Sequence, residues 1–300
     1  MKILLLGKNG QVGWELQRSL TPLGDVVALD RNSSFGLSGD LADFKALTAT
    51  VRATAPDVII NAAAYTAVDK AESEPLLATR VNAEAPGVIA REAAKLGAWV
   101  VHYSTDYVFD GSGNSARSED APTSPLSVYG RTKLEGELAI AASSARAIVL
   151  RTSWVYAARG QNFVKTMLRL ARERDSLKVV ADQFGAPTGA ELIADVTAHI
   201  IRQIAQSDDS HLAGTYHLAA AGETSWHGYA QFVLDYASKQ GITLKVGANQ
   251  ITPLRTEDYP VSATRPRNSR LNLAKLEKVF NLKMPPWQQG VQRMLDEIQL

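Results

Sequence analysis

The chain contains no cysteine. Disulfides and thiolate metal sites are therefore excluded, and a reducing compartment is permitted. Net charge is nearly absent too: 32 lysines and arginines stand against 31 aspartates and glutamates, a balance of +1. Nothing in that balance draws a nucleic acid or an anionic membrane as partner. Long apolar runs are missing. The stretch from Met1 to Gly7 is too short for a signal peptide, and no segment approaches the roughly 18 apolar residues of a membrane span. The expected location is cytoplasmic. His102, His199, His211, His217 and His227 show no ligand spacing, which argues against a metal hydrolase.

What is present suits an ordinary globular fold. The hydrophobic share is 45% and the charged share 21% over 300 residues, enough for one large α/β domain or two smaller ones. Ile3 to Leu6 are continuously apolar, as in a strand buried on both faces of a parallel sheet. Gly7-Lys8-Asn9-Gly10-Gln11-Val12-Gly13 follows, and Val12, Leu16 and Leu20 then recur at helical spacing. A second strand, Val26 to Leu29, closes on Asp30. Glycines in such a turn admit a pyrophosphate to the backbone, and the helix start offers free N–H groups and a positive dipole end. An acid ending the second strand binds the hydroxyls of an adenosine ribose.

Further strand-like runs occur at Val58-Ile59-Ile60, Trp99-Val100-Val101, Ala147 to Leu150 and Lys178-Val179-Val180, with helical segments between them such as Ala83 to Leu96. This alternation predicts a doubly wound parallel (Rossmann) sheet, with ligands at the carboxyl ends of its strands. Asp40-Leu41, Asn61 to Thr66 and Ser104-Thr105-Asp106 all follow apolar runs and should ring one crevice. Asp40 suits the adenine side, and the alanines after Asn61 leave room for a flat cofactor. Asn61 itself reads equally well as a strand-end hydrogen bonder. Tyr129 and Lys133, four apart, share a helix face, so an ammonium stands beside a phenol. A nearby cation lowers a phenol pKa from its usual value of about 10. A hydroxyl from a strand end, Thr105, would hold the oxygen that receives the proton. Tyr-x-x-x-Lys alone is a weak signal.

Gly111 to Ser124, rich in Gly, Ser, Asn and Pro, reads as a mobile loop over the site. Asn162 to Arg174 is amphipathic, with Phe163, Met167 and Leu170 inward. After about residue 220 the regular alternation fades into a smaller, mixed α/β lobe. Its parts are a helix near Trp226 to Gln240, the irregular stretch Thr252 to Asn272 and a helix near Trp287 to Ile298. Residues 1–153 are thus read as the dinucleotide-binding domain, with 177–220 returning to it, and 154–176 and 221–300 as the substrate lobe.

These residues together resemble the extended short-chain dehydrogenase/reductase family. The motifs that carry the likeness run nearly end to end. They are the glycine turn, Asn61-Ala62-Ala63-Ala64, His102 to Phe109, Tyr129-Gly130-Arg131-Thr132-Lys133, Arg151 to Tyr156, Asp182 to Thr188 and Arg265 to Arg270. The resemblance implies a sugar-nucleotide reductase that converts dTDP-4-dehydro-L-rhamnose to dTDP-L-rhamnose with NADPH or NADH, for a cell-surface polysaccharide such as O-antigen. It implies Tyr129 as proton donor, Lys133 as its partner and ribose anchor, and Thr105 as the third catalytic group. It places Gly10, Gln11 and Val12 at the pyrophosphate, counts Gly7 and Gly13 among the cofactor-binding residues, and puts Asp30 at the adenosine ribose. Asp40, Leu41, Ala64, Tyr65 and Thr66 would touch the rest of the dinucleotide. Thr105, Asp106 and Trp154 would meet the sugar nucleotide, and Arg265 its diphosphate, whereas Arg267 and Arg270 read as surface charges. Without the family, Trp154 reads as a core aromatic. The family also implies a homodimer, some members holding Mg²⁺ on glutamates. Glu15, Glu191 and Glu297 are possible counterparts, read here as surface acids.

Three other readings stand beside this one. A related epimerase shares the triad and differs in retaining its cofactor. A 4,6-dehydratase expects a Glu after the Thr-Asp pair, where this chain has Tyr107. A non-catalytic regulatory subunit on the same fold predicts an eroded triad, but Thr105, Tyr129 and Lys133 are all present. Asp30 favours NADH, while the adjacent Arg31 admits NADPH.

Overall fold

The computed structural model describes residues 1–32, 35–206 and 210–298. Six strands form one parallel sheet: β1 (Lys2–Leu6), β2 (Asp25–Leu29), β3 (Val58–Asn61), β4 (Trp99–Thr105), β5 (Arg146–Thr152) and β6 (Gly214–His217). Their order is 6-5-4-3-1-2, so the winding reverses between β1 and β3. The register brings strand ends together: Leu6 lies opposite both Leu29 and Asn61, Asn61 opposite His102, and Thr105 opposite Thr152.

The unbroken apolar run of β1 is explained by its two covered faces. Ile3 and Leu5 point into one core with helices α1 (Gln11–Leu20) and α5 (Ala190–Gln206), and Leu4 and Leu6 into the other. That second layer consists of α2 (Phe44–Thr54), α3 (Ala85–Leu96) and α4 (Val128–Ala141). A π-helical turn, Arg80–Glu84, precedes α3, so the α-helix expected from Ala83 starts at Ala85.

A separate hydrophobic core lies outside the sheet. It joins Val164, Met167 and Leu168 of helix Phe163–Glu173 to Val233 and Leu234 of helix Trp226–Lys239 and to Val291 and Leu295 of helix Trp287–Glu297. One expected element belongs here instead of in the main sheet. Strand Leu177–Val180 pairs in parallel with Ile251–Leu254, so the segment 177–220 returns to the sheet only in its later part, through α5 and β6. The Gly111–Ser124 loop also departs from expectation. It is hydrogen-bonded to the stretch 267–272, Arg117 N–H to the Arg270 carbonyl and the Asn268 amide to the carbonyls of Ser112 and Ser115. None of its residues reaches the cavity described next.

Candidate active site

β1 ends in a turn that only glycine fits. Gly7 takes φ +89°, and a Cβ on Gly13 would lie 2.0 Å from the Gly7 carbonyl oxygen. The helix start is thereby pressed against the strand end. Gly10 caps α1 without a side chain, and the first turn carries no acid, so its N–H groups and positive dipole end stay available to an anion. The turn opens on a cavity of about 940 Å³ at the carboxyl ends of the strands.

Fourteen expected residues line this cavity: Gly7, Gly10, Gln11, Val12, Asp30, Asp40, Leu41, Ala64, Thr66, Thr105, Asp106, Tyr129, Lys133 and Trp154. Three expected residues do not. Gly13 is used up in packing against Gly7. Tyr65 turns its hydroxyl to Glu74 at 2.7 Å. Arg265 pairs with Asp69 at 2.7 Å, although its Nη1 is buried with no partner within the protein. Asn61 is not at the cavity wall; its amide is buried at the strand end against His102. Ser104 lines the cavity as expected of the crevice, while Tyr107, Thr152, Ser153 and Gln161 line it and were not singled out. The first three of these flank Thr105-Asp106 and Trp154, so the neighbouring motifs were the available signal; Gln161 offered none.

Asp30 accepts from the Asn9 amide at 2.5 Å and the Asn32 N–H at 2.9 Å, which fixes its carboxylate at the cavity rim. Tyr129 sits in the first turn of α4, which Ser127 caps by accepting from the Gly130 N–H. Gly130 is required there, because a Cβ would meet the Tyr107 carbonyl at 2.2 Å. The Thr105 hydroxyl donates to Asp106 at 3.1 Å and accepts from the Tyr107 N–H, and the Tyr129 phenol lines the same cavity. Lys133 is buried, its Nζ 2.6 Å from the Tyr103 carbonyl and 3.2 Å from His102 Nε2.

Burial governs the electrostatics. It pushes the Tyr129 phenol up to about 12; the nearby Thr105 hydroxyl opposes this and the Asp106 charge adds to it. Burial lowers Lys133 to about 8 against the attraction of Glu137, and raises Asp106 to about 6 against the nearby hydroxyls of Ser269 and Thr105. The expected lowering of the phenol by the neighbouring cation is not found: Lys133 is not among the groups that shift Tyr129, and desolvation sets the direction. The Lys133 amine spends its contacts on β4.

Trp154 adopts φ +50° and stacks on Trp226, centroids 3.7 Å apart at 15°. An indole held in this left-handed conformation is costly, and its stacking partner fixes it against the cavity. Three buried polar atoms at the wall, Ser104 Oγ, Asp106 Oδ2 and Thr152 Oγ1, have no protein partner. Such groups call for polar atoms from a ligand. Together with the glycine turn they fit a dinucleotide and a sugar. Glu15, Glu191 and Glu297 line a different pocket, interleaved with Arg18 and Arg293. Among the described residues, no three acids or histidines are placed to hold a metal ion.

The model of the family described as RmlD substrate binding domain matches residues 1–300. The chain is 55% identical to the dTDP-4-dehydrorhamnose reductase of Salmonella typhimurium over 298 residues, covering 99% of this chain and 98% of that one. It is 53% identical to the Escherichia coli K12 protein of the same name, with the same coverage. A crystal structure of a dTDP-4-dehydrorhamnose reductase from Clostridium acetobutylicum superposes with a TM-score of 0.89 at 36% identity, covering both chains fully. One from Bacillus anthracis in complex with NADP superposes at 0.86 and 33% identity, over 99% of each chain. By sequence and by architecture the chain belongs to the RmlD substrate binding domain family.

Proposed function

We propose that this protein reduces dTDP-4-dehydro-L-rhamnose to dTDP-L-rhamnose with NADPH or NADH. The observation that carries the reading is the meeting of Thr105, Tyr129 and Lys133 with the glycine turn in one cleft. The reduced nicotinamide, when bound, supplies the hydride that goes to C4 of the sugar. The chain's own residues manage position and proton. Tyr129 donates its proton to the C4 oxygen as charge grows there, and Thr105 holds that oxygen by a hydrogen bond. A phenol held near 12 is a weak acid in the resting site, but its proton moves to an oxygen that is turning into an alkoxide, a far stronger base. Lys133 anchors the nicotinamide ribose beside Tyr129. Gly10, Gln11 and Val12 receive the pyrophosphate on their backbone N–H groups. Asp30 takes the adenosine ribose, and Arg31 at the same rim offers a charge to a 2′-phosphate. Asp40, Leu41, Ala64 and Thr66 line the rest of the dinucleotide path.

Asp106 and Trp154 face the sugar, and Arg265 turns from Asp69 to the diphosphate when substrate arrives. Residues 1–153, α5 and β6 form the cofactor domain; the elements around the second core form the substrate lobe. We place the protein in the cytoplasm as a homodimer, its product feeding a transferase that builds a cell-surface polysaccharide. No helix of the described residues is long and apolar enough to cross a membrane.

The test mixes the purified protein with dTDP-4-dehydro-L-rhamnose and either dinucleotide, and follows nicotinamide absorbance. A reductase consumes one dinucleotide per sugar and loses cofactor on dialysis. An epimerase keeps its cofactor and shows no net consumption, and that result would displace the reading.

A further inference from the structure

We propose that Asn61 and His102 form a tuning pair behind the site, which presents a ring N–H to the amine of Lys133 and thereby weakens that amine's hold on a proton. The inference rests on the reading of Lys133 as part of the reductase site and reaches one layer behind it. The β3–β4 register sets Asn61 beside His102, and both are about 1% exposed. The orientation of the asparagine is fixed by its neighbour: the Ala63 N–H donates to Asn61 Oδ1 at 3.3 Å. Asn61 Nδ2 is thus the atom facing His102 Nδ1, at 3.1 Å. An amide nitrogen only donates, so Nδ1 must accept, and the single proton of a neutral imidazole then sits on Nε2. The ring is neutral, because burial and the Lys133 charge both hold its pKa well below the usual range.

His102 Nε2 lies 3.2 Å from Lys133 Nζ. An N–H there bonds only to the lone pair of a neutral amine, since an ammonium has none to give. Proton uptake by Lys133 therefore breaks the bond to His102, while the contact of Nζ with the Tyr103 carbonyl survives in both charge states. The other titratable groups around Lys133 are Tyr129 and Glu137 on α4 and Asp106 beyond β4, and Glu137 is itself locked to Arg151 of β5 at 2.6 Å. Glu137 favours the ammonium; the histidine N–H opposes it. The balance makes Lys133 a group that exchanges its proton near neutral pH instead of a fixed cation.

Two measurements test this. Nitrogen-15 NMR of His102 in the wild-type protein, assigned by its loss in His102→Gln, reads the tautomer without any turnover. The expected result is Nε2–H; an Nδ1–H ring overturns the proposal. The pH profile of kcat supplies the second readout. Asn61→Asp gives Nδ1–H an acceptor and turns the Nε2 lone pair to the ammonium, and His102→Gln offers Lys133 a carbonyl directly. Each should move the basic limb upward by about one pH unit, a tenfold gain in proton affinity. A purely structural role lowers kcat and leaves the limb in place, and a limb unmoved in the variant that folds overturns the proposal. Absence of dinucleotide oxidation by the wild type would remove the reductase reading and leave the tautomer to the NMR spectrum.

Discussion

Asp106 carries a stability cost and, on the proposed reading, also a contact to the sugar. Burial raises its carboxyl to about 6, so the folded chain binds this proton more tightly than the unfolded one. Its contribution therefore favours the fold at low pH and is lost as pH rises from about 4 through 6. Asp106→Asn, which mimics the protonated acid, should be more stable than wild type at pH 7 by up to about 3 kcal/mol. The gap should close below about pH 4, in melting temperatures taken across that range. A gap independent of pH would contradict the assignment. The same exchange should raise KM, because the acceptor offered to the sugar is gone. Thr105→Val removes the hydroxyl that donates to Asp106 and that, on the proposed reading, holds the C4 oxygen; it should lower kcat about tenfold or more, with Thr105→Ser recovering most of it. Tyr129, Lys133 and Thr105 were legible in the sequence because helical spacing and strand ends place them. The Arg265–Asp69 pair was not, since it joins residues brought together only by the folded lobe. Nor was the role of Asn61, which depends on strand register and amide orientation.

At the scale of elements, α4 is tied to the sheet by a buried ion pair. Arg151 of β5 grips Glu137 through Nε at 2.9 Å and Nη2 at 2.6 Å, both side chains under 10% exposed, while Phe109 lies under the guanidinium. Removing one partner strands a charge. Glu137→Gln should cost about 3–5 kcal/mol in denaturant unfolding, whereas Glu137→Leu with Arg151→Met should come back close to wild type. Should the double variant prove as unstable as the single one, the pair would be a source of stability in its own right. The strands and helices of the sheet were readable because apolar periodicity and glycine punctuation are local signals. Strand 177–180 was readable as a strand but not as to its partner. Periodicity does not encode pairing, although the exposed Lys178 between buried Leu177 and Val179 marks a strand covered on one face only.

Across the whole molecule, the core of the second lobe reaches the cavity through Trp154, whose indole stacks on Trp226. Trp226→Ala should leave Trp154 unsupported in its left-handed backbone and raise KM for the sugar by up to about tenfold, with little change in affinity for the dinucleotide. A loss confined to dinucleotide binding would place the stack elsewhere in the mechanism. The sheet and the cleft at its carboxyl ends were foreseeable, because parallel winding fixes where ligands sit. The lacing of Gly111–Ser124 to 267–272 was not, since its polar and glycine-rich composition resembles that of a free loop. The account as a whole depends on Tyr129 giving up its proton as the C4 oxygen gains charge. The most direct measurement is the rate of dinucleotide oxidation by Tyr129→Phe with dTDP-4-dehydro-L-rhamnose, at dinucleotide concentrations that saturate both proteins. The account predicts unchanged dinucleotide binding with kcat reduced about a hundredfold or more; a variant that turns over at the wild-type rate would contradict it.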